Sequence, residues 1–214
     1  MIRKLGIVGA GVMGRGVAQA AAQCGMDVVL VDIEESVLSG AVAAIHQAVR
    51  FSSMMGGGKL NDSVETICDR IKTTVDLEAL SDVDFLVENV TEKTAVKQEL
   101  YPRLDAACNA ECVFAVNTSA ISITKVASWT ERAELVVGMH FMNPVPMKPV
   151  VEVIRAFHTS EETLNKSRDF LSQLNKEAII VNDMPGFVSN RVLMLTVNEA
   201  ILLVQDNVSS PKDI

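Results

Sequence analysis

The residues best suited to chemistry stand where apolar runs end. Asn117, Thr118 and Ser119 follow the run Cys112–Val116, His140 directly follows Leu135–Met139, and Asn143 precedes Pro144. Glu152 interrupts the apolar stretch VVEVI. Ligands of open α/β sheets bind outside the carboxyl ends of the strands, so a histidine in that place is set to meet substrate. Oxidising a secondary alcohol requires a base to take the hydroxyl proton as hydride leaves, and an imidazole can take a proton and return it. A carboxylate on the far ring nitrogen would orient the ring and stabilise the imidazolium. Glu152 is the candidate, because a charge inside an apolar strand needs a partner. Standing alone, His140 reads equally well as a hydrogen-bonded structural histidine. His46 and His158 lie in less suggestive surroundings and are assigned no role.

A second constellation sits at the N-terminus. Residues 9–14 read GAGVMG, between a short apolar run and a small-residue stretch. In a strand–turn–helix setting Gly9 makes the tight turn, Gly11 lets a backbone approach a pyrophosphate, and Gly14 allows close helix–strand packing. Val12 and Met13 complete the loop, whose following helix N-terminus favours an anion. Asp32 ends the next apolar run, 18 residues after Gly14. There a carboxylate accepts hydrogen bonds from the adenosine ribose and repels a 2′-phosphate. The next residues are Ile33, Glu34 and Glu35, with no arginine. The expected cofactor is therefore NAD rather than NADP. The bland alternative is a tight βα turn and a surface aspartate.

The elements that must position these residues alternate in type. Strands are expected at Lys4–Val8, Val28–Val31, Asp84–Glu88, Cys112–Val116, Leu135–Met139, Val150–Ile154 and Ala178–Val181, as short continuous apolar runs buried on both faces. Helices are expected at Gly14–Cys24, Glu35–Arg50, Asp62–Lys72 with Asp62 as cap, Lys93–Cys108, Glu161–Leu174 and Arg191–Val204, with a break over Phe51–Lys59. That alternation predicts a Rossmann-like, doubly wound α/β fold with a mainly parallel sheet. A catalytic, NAD-binding domain is expected over residues 1–184, and residues 185–214 read as the start of an incomplete helical domain.

The bulk properties exclude other classes. The chain has 214 residues, 49% of them hydrophobic and 21% charged, an ordinary globular composition. A net charge of −8 argues against nucleic-acid binding. No apolar run approaches the roughly 20 residues of a membrane span, and no signal peptide is visible, so a cytoplasmic protein is expected. Cys24, Cys68, Cys108 and Cys112 form no CxxC pair and have no metal-ligand spacing, so reduced thiols and no metal site are expected.

The motifs GAGVMG, VENVTEK, NTSAISI, GMHFMNPVP, VVEVI and DMPGFVSNR, with Asp32, occur in one order through essentially the whole chain. In that order and spacing the sequence resembles the L-3-hydroxyacyl-CoA dehydrogenase family, most of all bacterial 3-hydroxybutyryl-CoA dehydrogenases. The resemblance implies NAD-dependent, reversible oxidation of an (S)-3-hydroxyacyl-CoA thioester to the 3-oxoacyl-CoA. It implies His140 as base, Glu152 as its orienting carboxylate, Ser119 on the substrate C3 oxygen, and Asn190 completing the polar cage around that oxygen. Glu92 and Lys97 would lie at the nicotinamide ribose, Asn143 near the nicotinamide, and Asn117 in the cofactor site.

The sequence also departs from the family pattern. Members continue into a helical domain that supplies most of the dimer interface and part of the acyl pocket. The expected last helix would expose Leu193, Leu195 and Leu202, a stripe that calls for a partner, either a second copy of the chain or that further domain. Where the family has a serine and several lysines for CoA, this chain has Ala48 and MMGGGKL, with Lys59 as the one clear cation for substrate. That leaves room for the same chemistry on an acyl-carrier-protein or another hydroxy-acid substrate. A nucleotide-binding piece inactive without its C-terminal domain is the reading from a different class. Ala120 replaces the family's second serine in NTSS.

Overall fold

The computed structural model describes residues 2–54 and 62–214. Its centre is one sheet of eight strands: β1 Lys4–Val8, β2 Asp27–Val31, β3 Ile71–Thr74, β4 Phe85–Glu88, β5 Val113–Val116, β6 Val136–His140, β7 Val150–Arg155 and β8 Glu177–Asn182. They are ordered β3-β2-β1-β4-β5-β6-β7-β8. Every neighbouring pair is parallel except β6 and β7. The chain winds outward from β1 through β2 to β3, then returns to β4 on the other side of β1. Strand order thus reverses between β1 and β4, where Val8 is level with Glu88. A doubly wound sheet opens its ligand crevice at such a reversal.

Helices cover both faces, because the central strands are apolar on both sides. On one face α1 (Val12–Gln23), α2 (Glu35–Met54) and α6 (Glu161–Gln173) bury Val17, Ala21, Leu38, Ile45, Val49 and Leu171 against the sheet. On the other, α4 (Thr94–Ala107) and α5 (Ile123–Ala127) bury Tyr101, Leu104, Ile123 and Val126. Phe170 of α6 stacks on Phe85 of β4 with ring centroids 4.6 Å apart. Each such fully buried aromatic or aliphatic side chain contributes about 1.5–3 kcal/mol. The mainly parallel, doubly wound α/β architecture expected from the alternation of elements is the one found.

Local differences have physical causes. Residues 62–72 do not form one helix. α3 spans Val64–Asp69, capped by Ser63, whose Oγ accepts from Thr66 N at 3.1 Å. Asp62 instead pairs with Arg70 at 2.7 Å. Ile71–Thr74, three of whose four residues are β-branched, then joins β2 as an edge strand. α2 runs on to Met54, past the expected stop at Arg50, and the rest of the expected break lies outside the described residues. α5 was not expected, and α7 (Ser189–Gln205) begins two residues earlier than expected. No residue of α7 is buried, and Leu193, Leu195 and Leu202 are 51%, 68% and 38% exposed. Among the described residues no helix is long and apolar enough to cross a membrane.

Candidate active site

The glycine loop is built by backbone approach. A Cβ on Gly14 would stand 1.8 Å from the carbonyl oxygen of Gly9, so α1 can begin under this turn only with glycine there. Gly11 differs, because a Cβ on it would meet nothing within 4 Å. No contact inside the protein demands a glycine at that position, and the open space over it is a cradle that a ligand can fill. Gly11 also caps α1 without any side-chain hydrogen bond, which leaves first-turn N–H groups available to an anion. Asp32 Oδ2 accepts from Ala10 N at 2.7 Å and Oδ1 from Ile33 N at 2.8 Å, which fixes the carboxylate beside the loop. Gly9, Gly11, Asp32, Val37, Leu77 and Val90 help line a cleft of about 510 Å³ over the sheet reversal. Val12 is exposed and Met13 half-buried at its edge. Loop, uncapped helix and carboxylate together fit a dinucleotide.

A second group of residues converges on the ends of β5 and β6. His140 closes β6 and is the register partner of Glu152 across the antiparallel pair. His140 Nδ1 donates to Glu152 Oε2 at 2.8 Å, and both side chains are buried. With its proton committed there, Nε2 is the free lone pair, and Ser119 Oγ donates to it at 3.0 Å. Glu152 Oε2 also accepts from Ser189 Oγ at 2.7 Å. Glu152 Oε1 accepts from Val188 N at 3.0 Å and Ser189 N at 2.9 Å. Burial works to raise the Glu152 carboxyl. The bonds from His140, from the Ser189 hydroxyl and from the two backbone N–H groups outweigh it and hold the carboxyl below the ordinary carboxylate range. The Phe187 ring lies 5.7 Å from the imidazole and walls the site.

The segment carrying Ser119 is held from two sides. Glu92 Oε1 accepts from Ser119 N at 3.0 Å and from the Thr118 hydroxyl. Asn190 Nδ2 donates to Ser119 O at 3.1 Å. Asp183 caps α5, accepting from Ser122 Oγ and Thr124 N at 2.8 Å each. The structure therefore gathers Ser119, His140, Glu152, Asn190 and Glu92 into one connected group. Asn117, after β5, ties together the ends of β4 and β6, donating to Asn89 Oδ1 at 2.7 Å and accepting from Phe141 N at 3.3 Å. Asn143 is exposed on the β6–β7 connection, before a cis bond to Pro144.

Lys97 is the exception among the expected site residues. Its Nζ is fully buried, 2.7 Å from each oxygen of Glu88, and Tyr101 OH donates to the same carboxylate at 3.0 Å. Helical spacing places Lys97 and Tyr101 on the inner face of α4, against the end of β4, and not in the crevice. Lys59 lies outside the described residues. Two contributors were not singled out from the sequence. Asn89 left the same signal as Asn117, a polar residue directly after an expected strand. Ser189 left another, as a helix-capping residue type just before the periodic run of α7. Among the described residues no group of three His, Cys, Asp or Glu side chains could hold a metal ion.

The profile described as the 3-hydroxyacyl-CoA dehydrogenase NAD binding domain matches residues 4–184. A probable 3-hydroxybutyryl-CoA dehydrogenase of Deinococcus radiodurans is 42% identical over 99% of this chain and 75% of its own length. The probable 3-hydroxybutyryl-CoA dehydrogenase of Bacillus subtilis is 39% identical over the full chain and 74% of its own length. The solved structure of (S)-3-hydroxybutyryl-CoA dehydrogenase from Ralstonia eutropha superposes with a TM-score of 0.96 at 37% identity, covering the full chain and 75% of that protein. Fold, crevice and sequence agree: the chain belongs to the 3-hydroxyacyl-CoA dehydrogenase family and carries its NAD-binding domain.

Proposed function

We propose that the chain oxidises an (S)-3-hydroxyacyl-CoA to the 3-oxoacyl-CoA, reversibly and with NAD. The observation that carries this reading is the line Ser119 Oγ–His140 Nε2–His140 Nδ1–Glu152 Oε2, with links of 3.0 and 2.8 Å at the carboxyl ends of β5 and β6. A substrate hydroxyl entering between Ser119 and His140 meets the one ring nitrogen free to accept its proton. His140 Nε2 takes that proton. Glu152 stabilises the imidazolium through Nδ1 without itself becoming protonated. Ser119 Oγ, with Asn190 Nδ2 held beside the same residue by its bond to the Ser119 carbonyl, steadies the oxygen as charge develops on it. Asp32 and the Gly9–Gly14 loop would hold the cofactor, and Glu92 and Asn143 would serve its nicotinamide end. NAD supplies the acceptor for the hydrogen at C3. In the reverse direction the imidazolium returns the proton.

The test is oxidation of NADH by acetoacetyl-CoA, followed by loss of the NADH absorbance band. The wild-type chain is expected to turn over, and His140→Ala to lose about 10²–10⁴-fold in kcat, the contribution of a positioned base. Tight NADH binding without turnover of acetoacetyl-CoA would overturn the assignment of this activity to the chain and leave a different carrier or an inactive nucleotide-binding piece. Undiminished turnover by the variant would overturn the assignment of base.

A further inference from the structure

We propose that Ser189 is a positioning residue for the His140–Glu152 pair, its hydroxyl keeping the Glu152 carboxylate ionised and aimed at His140 Nδ1. The inference rests on the reading of that pair as the catalytic dyad and extends it to the first residue of α7. Glu152 accepts four hydrogen bonds, and only one comes from His140. The other three come from Val188 and Ser189, at 3.0, 2.9 and 2.7 Å. Two of these are backbone bonds that any residue would make. The third is specific to a hydroxyl and falls on Oε2, the oxygen that holds His140.

The geometry gives this hydroxyl a particular effect. Without it Glu152 keeps its backbone anchor on Oε1, but Oε2 has one donor fewer in a buried setting. A buried carboxylate that loses a donor becomes easier to protonate, and a protonated Glu152 no longer stabilises an imidazolium. The carboxyl oxygen nearest the ring is also freer to rotate away. The ionisable groups on the surrounding segments are Glu92, held by Thr118 and Ser119, Asp183, held by α5, and Arg191, exposed on α7. All three are retained when Ser189 alone is changed.

The experiment compares wild type, Ser189→Ala and Ser189→Thr. The first readout is the titration of the Glu152 side-chain carboxyl by ¹³C NMR, which needs no turnover. Its midpoint is expected to rise by about half a unit to one unit in Ser189→Ala, the share of one charge-assisted hydrogen bond. Ser189→Thr, which keeps the hydroxyl, should restore it. The second readout is the pH profile of acetoacetyl-CoA reduction and of the reverse oxidation. The acid limb of reduction, where His140 is already the imidazolium and Glu152 is the group being protonated, should move to higher pH in Ser189→Ala, with kcat falling about 3–30-fold and KM unchanged, and return in Ser189→Thr. An unmoved carboxyl midpoint in Ser189→Ala overturns the inference. So does a loss of kcat equal at all pH values, or a failure of threonine to restore either readout. A wild type that does not turn over acetoacetyl-CoA would sink the functional reading but leave the carboxyl titration to decide the role of Ser189.

Discussion

At the scale of single residues, His140 and Glu152 each break a local rule, and the fold sets one against the other. A histidine at the end of an apolar strand and a glutamate inside another announce themselves, since each must find a partner. Their pairing across one rung of the sheet is the finding that joins them. The lowered carboxyl of Glu152 has a consequence for stability. A carboxyl depressed in the folded state contributes stability that is fully present above its unfolded pKa of about 4.3 and is lost as pH falls through the depressed value. Melting temperatures of the wild type should therefore decline more steeply below about pH 4.3 than those of Glu152→Gln, whose amide does not titrate. Parallel declines would mean that other carboxyls carry the acid sensitivity. Asp32→Ala should weaken NADH binding about 10–100-fold, because the ribose loses an acceptor and Ala10 N loses its partner. Fluorescence titration measures this, and an unchanged Kd would place the adenosine elsewhere.

At the scale of elements, the strands near the crevice could be read closely, and the segment at 62–74 could not. Val28–Val31 and Val113–Val116 are apolar throughout, which is what burial on both faces imposes. β3 lies at the sheet edge and reads IKTT, with too little apolar signal to separate it from the helix before it. Lys97 shows another limit. The resemblance that put Lys97 at the nicotinamide ribose carries over a residue type and a position, while in this structure the side chain is buried against Glu88. Its burial with Glu88 leads to a sharp expectation. Removing one member of a buried ion pair leaves an unpaired charge, at a cost of about 3–5 kcal/mol. Urea denaturation should show that loss for Lys97→Met, with much of it recovered in the double variant Glu88→Gln, Lys97→Met. Equal losses in the single and double variants would mean that packing, not charge, is at stake.

At the scale of the whole molecule, sheet order and direction decide where chemistry can occur. The reversal between β1 and β4 opens the cofactor crevice, and it followed from the alternation of strands and helices. The single antiparallel pair, β6 with β7, did not. No local pattern distinguishes a strand running with its neighbour from one running against it when both are buried. Yet that reversal allows a residue at the end of β6 to face one in the middle of β7.

The dyad is therefore anchored very unequally. On one side is a rung of the sheet among buried strands, with Met139 and Val153 fully enclosed. On the other is the first turn of α7, a helix with no buried residue. Opening free energies follow burial, from near zero at exposed helix ends to the full stability of the domain in the central strands. The backbone amides of Val188 and Ser189 should thus exchange with solvent deuterium far sooner than those of Met139 and Val153. In mild denaturant, catalysis should then fade while the sheet is still intact, so that activity gauges the seating of one helix rather than the survival of the fold.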